Sequence, residues 1–302
     1  MKTDEGCRLA SSLLFIINQQ KNNSPKFLSI DKDLIRKAIK SSFALDFSIC
    51  IHSFEKYYKL ANMKAQDGVK ASNEEIRARF DKDVDRFSNL DTGQLTTLDA
   101  PLTMELCTDA AKALTPLAKN LLDIGCGAGN YTLKMLSKIQ DLNCTLNDLS
   151  LPMLDKARER VSAQTSGFVN TIQIDMRELA LGEETFDIVL AAATLHHLRS
   201  DSDWENVFTK IYNALTPGGS FWVSDLVTHD NKALNELFED HYGSYLETLG
   251  GPEYKQKVFD YIAYEDTPRS IDYQITLMKN IGFKNVEVLH KNLCFAAFGG
   301  SK

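Results

Sequence analysis

The chain has 302 residues, 43% hydrophobic and 25% charged, the balance of a globular protein long enough to bury its own core. A formal net charge of −7 argues against nucleic acid as a partner, since a duplex footprint needs a basic face. Cys7, Cys50, Cys107, Cys126, Cys144 and Cys294 form no C-x-x-C pair and no zinc spacing, so they read as reduced, buried side chains with no metal expected.

Residues 9–17 are apolar but too short to span a bilayer. The leading Lys2, Asp4, Glu5 and Arg8, with no A-x-A pattern after them, do not read as a signal peptide. A cytoplasmic protein without a membrane partner is expected. Over residues 1–70, Leu34, Ile35, Ala38 and Ile39, then Phe47, Ile51 and Phe54, recur at helical spacing. This is a helical N-terminal extension, a candidate lid, homodimer surface or plain packing layer. Ser72 with Glu75 fits a capping box, and Ile76, Phe80, Val84 and Phe87 continue as one helical stripe. Another helix is expected over 102–114.

From residue 120 the texture alternates. Apolar runs at 121–124, 145–146, 171–174, 186–192 and 220–227 read as strands, separated by helical patterns at 131–139, 151–161 and 204–215. A mostly helical insertion follows over about 230–265, then a helix over 271–281 and two β-like runs at 285–290 and 294–298. The class is α/β, with a doubly wound, mainly parallel sheet over 71–302.

The first strand ends in Asp123-x-Gly125-x-Gly127-x-Gly129. A glycine turn between strand and helix is the nucleotide corner of such folds. The nicotinamide fingerprint requires its third glycine at position 130, which is Asn130. A pyrophosphate gains nothing from the carboxylate of Asp123; a ligand with a cationic amino-acid end does. Asp148, about 20 residues past the last glycine, closes the second strand where an acid accepts ribose hydroxyls. Asp175 closes the third, suited to an adenine amino group, with the Met176 thioether packing on the ring.

The segments 121–132, 147–150, 175–176, 186–198 and 215–221 resemble the successive motifs of class I S-adenosylmethionine-dependent methyltransferases. The resemblance covers roughly 78–302. It implies a seven-stranded sheet with an antiparallel last strand inserted between the fifth and sixth, and S-adenosylmethionine as cofactor. It implies that Asp123, Gly125, Cys126, Gly127 and Gly129 hold the methionine end, Asp148 the ribose, and Asp175 and Met176 the adenine. Leu149, Met153, Ala191 and Ala192 join the expected cofactor set, with Phe87 as a cover. From Phe221 onward the chain more loosely resembles carboxy-S-adenosylmethionine synthases, which carry an arginine for the extra carboxylate. Gln256 falls at that place, so ordinary S-adenosylmethionine is expected.

Methyl transfer from a sulfonium needs positioning more than proton transfer. His196 and His197, after the fourth strand, are the candidate catalytic pair; the alternative is one ring packed inward and one solvated. The amino-methylation tetrapeptide falls at 192–195, which reads Ala-Ala-Thr-Leu, and this disfavours nucleobase or glutamine amino groups. Arg86 is a candidate for the methionine carboxylate or a solvated arginine; Phe80 is a cover or a core residue. The insertion, with His241, Tyr242, Tyr245, Tyr254 and Tyr261, is where the resemblance implies a substrate pocket. The expected activity is methyl transfer to a small-molecule acceptor at oxygen, nitrogen or carbon. The alternatives are an inactive cofactor-binding partner subunit and a carboxy-cofactor synthase.

Overall fold

The computed structural model describes residues 69–89 and 93–302, all within one compact unit spanning residues 56–302. The expected helical extension over 1–70 therefore lies outside the described residues, apart from Val69 and Lys70, as do Cys7 and Cys50.

Seven strands form one sheet: β1 (Asn120–Ile124), β2 (Asn143–Asp148), β3 (Val169–Gln173), β4 (Phe186–Ala192), β5 (Leu215–Leu226), β6 (Lys284–Asn292) and β7 (Phe295–Ser301). Their order is β3-β2-β1-β4-β5-β7-β6. The first five run parallel, while β7 lies antiparallel between β5 and β6. Leu121, Leu122, Ile124, Ile188, Val189 and Leu190 are buried, which is why β1 and β4 read as unbroken apolar runs rather than alternating ones.

Among the described residues the helices are α1 (Asn73–Phe80), α2 (Val84–Ser88), α3 (Ala100–Leu114), α4 (Asn130–Leu136), α5 (Leu151–Ser162), α6 (Asp201–Ala214), α7 (Lys232–Glu265) and α8 (Ile271–Ile281). One core cluster joins Trp204, Phe208, Phe221, Met278 and Phe298; a second joins Met104, Tyr131, Met135, Leu154 and Val161. Among the described residues no helix is long and apolar enough to cross a membrane.

Three boundaries differ from expectation for physical reasons. The stripe from Ile76 to Phe87 is not one helix: α1 ends at Phe80 and α2 starts at Val84, with Asp81 drawn off by a 2.6 Å hydrogen bond from Ser150 Oγ. The capping box does form, Ser72 Oγ accepting from the Glu75 N–H and Glu75 Oε2 from the Ser72 N–H. In the insertion, α7 is two helices meeting at Gly251, whose φ of 80° and ψ of −176° leave the helical region before Pro252 restarts it. The helix α6 gives way at Leu215, because Leu215 already pairs with Phe186 in the sheet.

The order 3-2-1-4 sets a crevice outside the carboxyl ends of β1 and β4, where the connections diverge to opposite sides. The site described below lies at that edge.

Candidate active site

The turn after β1 is built for close approach. Gly125, Gly127 and Gly129 all have positive φ. A Cβ on Gly125 would run into the side chain of Thr194, so this glycine lets the turns after β1 and β4 pack together. Gly127 has open space where its Cβ would be, and its N–H donates to Asp148 Oδ2 at 2.8 Å. Asp148 Oδ1 accepts from the Ser150 N–H at 2.9 Å, so the acid closing β2 braces both the glycine turn and the start of α5.

Asp123 is 1% exposed. Its Oδ2 accepts from Thr132 Oγ1 at 2.6 Å, while Oδ1 is buried without a hydrogen-bond partner. Burial pushes this carboxyl up to about 7, with Asp148 adding to the rise and Thr132 opposing it. Asp175 behaves in the opposite sense. Burial alone would raise it, but hydrogen bonds and charge from Arg177, helped by Asn73, hold it below the usual range.

A strap formed by α1 and α2 crosses these strand ends. Asn73 Nδ2 donates to Asp175 Oδ2 at 2.7 Å, Ser150 holds Asp81, and Asn130 Nδ2 donates to the Phe87 carbonyl at 2.8 Å. The strap turns Phe80 and Phe87 towards the crevice, their centroids 5.4 Å apart. Arg86 also lines it, paired with Asp83 and stacked over Phe87.

The opposite wall begins where β4 ends. Ala193 takes φ of 50°, a left-handed conformation uncommon outside glycine, and a short 3-10 turn, Leu195–His197, follows. Asp225, after the apolar core of β5, accepts from the Leu195 N–H through Oδ2 and from His196 Nδ1 through Oδ1, at 2.8 and 2.5 Å. The end of α7 is tied to the same turn: the Thr267 N–H donates to the His196 carbonyl, and Arg199 to the Glu265 carbonyl. These ties bring Asp266 to 3.7 Å from His196 Nε2 and 3.3 Å from His197 Nδ1. Burial would lower His196, but Asp225 and Asp266 prevail and raise it to about 9. Arg79 forks onto the fully buried Glu265 at 2.7 and 2.6 Å and lies over Phe80 and near Tyr261.

One crevice thus gathers Phe87, Asp123, Gly125, Cys126, Gly127, Asp148, Leu149, Met153, Asp175, Met176 and Ala192 with His196 and His197. Two residues of the expected set stand outside its lining. Ala191 is buried in the core, paired with Ile124 and Val223 inside the sheet. Gly129 caps α4, where a Cβ would press on Val161 and Ala157 at 3.2 and 3.3 Å. Neither histidine is solvated, so the inward-and-outward alternative does not hold: their side chains are 12% and 13% exposed. Tyr242 and Tyr261 of the insertion line the crevice, whereas Gln256 is exposed and bonded to Asp260.

Asp225 escaped sequence reasoning although the rule that found the other acids applies to it, an acid following an apolar strand. Asp266 carried a fainter mark. It closes the carboxyl end of a long helix, where the helix dipole disfavours an anion.

Residues 121–219 match the family model of a methyltransferase domain. The chain is 26% identical over 202 residues to a carboxy-S-adenosyl-L-methionine synthase of Campylobacter lari, across 65% of this chain and 82% of that one. It is 29% identical over 189 residues to the synthase of that name from Campylobacter concisus, across 61% and 78%. Its fold matches an O-methyltransferase family protein from Burkholderia thailandensis with a TM-score of 0.52 at 17% identity, over 76% of this chain and 63% of that one.

Proposed function

We propose that this class I S-adenosylmethionine-dependent methyltransferase passes its methyl group to a small organic acceptor enclosed between the strap, the histidine turn and the insertion. The observation that carries the reading is the shape of the crevice. Carboxylates stand at three successive strand ends on one side, and Phe80, Tyr242 and Tyr261 line the other, an apolar face suited to a small organic acceptor. The net charge of −7 points the same way.

The chain's residues suit the cofactor. Asp123 Oδ1 is a buried acceptor in want of a donor, and a cationic amino group supplies one. Gly127 offers backbone without a side chain in the way. Asp148 retains lone pairs for ribose hydroxyls, and Met176 with Leu149 offers an apolar bed for a purine. Bound S-adenosylmethionine supplies an activated methyl group on a sulfonium sulfur. The protein's share is then to exclude water and align the acceptor, work worth several kcal/mol. His196, its Nδ1 gripped by Asp225 and its Nε2 facing Asp266, is oriented by these carboxylates rather than left as a free base.

Calorimetric titration tests the reading. Micromolar S-adenosylmethionine and S-adenosylhomocysteine binding, absent for NADH, is expected. Asp148→Ala should weaken it by about 1.5–3 kcal/mol through lost charge-assisted hydrogen bonds. No heat from either sulfur ligand with folded protein overturns it. A second reading follows the names of the curated relatives, namely that the second substrate is a carboxyl donor and the cofactor itself receives the carboxyl group in place of a hydrogen, which leaves as a proton. Mass spectrometry of nucleoside carried through purification separates the two, because the carboxylated cofactor is heavier by one carboxyl group.

A further inference from the structure

We propose that His196, His197 and Asp266 form a binding site for a divalent first-row transition-metal ion at the acceptor end of the crevice. One ligand atom from each lies within 4.8 Å of the others. Zinc-like bonds of about 2.0–2.1 Å in a tetrahedron put ligand atoms roughly 3.3 Å apart. The separations to Asp266 Oδ1 are 3.3 Å for His197 Nδ1 and 3.7 Å for His196 Nε2, within a small adjustment of that spacing.

Two further observations point to a ligand rather than to a finished ion-pair cluster. Asp266 is 5% exposed, yet its Oδ1, the atom facing both rings, makes no hydrogen bond. All three residues line the crevice, so an ion there keeps coordination positions open towards it. The surrounding shell is also of the right kind. A histidine that binds metal usually gives its other ring N–H to a carboxylate, which fixes the tautomer and aims the free nitrogen. Asp225 Oδ1 does this for His196 Nδ1, and Asp225 Oδ2 is itself anchored on the Leu195 N–H.

The charges nearby are accounted for by their partners. Arg79 is matched by Glu265, and Lys70 and Arg199 are directed onto backbone carbonyls of residues 263, 266, 265 and 71. That leaves the carboxylates of Asp225 and Asp266 for the histidines or an ion. Two imidazoles and one carboxylate suit manganese, iron, cobalt, nickel or zinc, whereas magnesium and calcium prefer oxygen throughout. On the reading that the acceptor enters from this end, an open coordination position holds an acceptor oxygen; the site itself does not depend on that reading.

The test uses chelator-treated full-length protein titrated with Co2+ alone, read by visible absorption. A saturable one-to-one band is expected, with affinity at least tenfold lower in His197→Gln and in Asp266→Asn while both retain a cooperative melt. No saturable band, or a band unchanged in both variants, overturns the proposal. A measurement needing no variant stands beside it: in the unaltered protein Co2+ should displace the ring-proton resonances of two of the six histidines. Displacement of none, or of histidines that do not stand next to each other in the chain, overturns it as well. The S-adenosylmethionine titration is separate, so failure of cofactor binding does not masquerade as failure of the metal site.

Discussion

The glycine-turn wall of the crevice comes from a short stretch of chain, Asp123 to Met176, in which each acid stands at the end of its own strand. The histidine wall is assembled differently. Arg79 and Glu265 meet across 186 positions of sequence, and His196 reaches Asp225 and Asp266 on two other elements. The first wall rests on backbone geometry that the parallel sheet imposes; the second rests on side chains held by one another. Damage to the first should therefore be local and complete, and damage to the second spread through a charge network.

Gly125→Ala breaks the first wall most sharply. It sets a Cβ against Thr194 at a φ of 64°, combining left-handed strain with overpacking, together about 2–5 kcal/mol. S-adenosylmethionine affinity should fall at least hundredfold by calorimetry. Melting at nearly the native temperature with unchanged affinity would show that the two turns yield freely.

Asp123→Asn sharpens the comparison, because binding and stability should move in opposite directions. The folded value of Asp123 is about 7, above its ordinary 3.8. Its protonated form is therefore favoured by folding, a contribution full below pH 3.8 and lost as pH rises through about 7. At pH 8 the variant should melt above the parent, yet bind the cofactor roughly ten- to hundredfold more weakly. A lower melting temperature would remove burial as the cause of the shift.

The smallest effect belongs to the histidine wall. His196 sits at about 9 in the folded protein against an ordinary 6.5. Its contribution is complete below pH 6.5 and is lost as pH rises through about 9. The melting temperature should drop a few degrees over that interval, and the drop should flatten in His196→Gln. Equal slopes in the two proteins would mean that Asp225 and Asp266 do not hold the ring charged.

This difference also explains what could be read from residue order. Strand ends announce themselves by an apolar run, a turn and an acid, so Asp123, Asp148 and Asp175 were legible along with the sheet that carries them. Ala191 and Ala192 are neighbours in sequence, but only Ala192 lines the crevice, because a β strand sends neighbouring side chains to opposite faces. Gly129 belongs to the glycine motif and also lets α4 pack on α5, a contact that residue order does not announce. Asp266 was out of reach because nothing local ties the end of α7 to a turn near residue 196. The Thr267 amide on the His196 carbonyl and Arg199 on the Glu265 carbonyl do so, and hydrogen bonds between loops leave no periodic trace.

Asp225 carries one last consequence. A single carboxylate both caps the backbone of the 195–197 turn and grips the ring of His196. The aim of that ring cannot drift under mutation without unwinding the turn beneath it. Divergence towards new acceptors therefore has a rigid pivot and a soft periphery. Relatives sharing this pivot should change their substrates through the strap and the insertion, where Phe80 and Tyr261 line the crevice away from the Asp225 carboxylate.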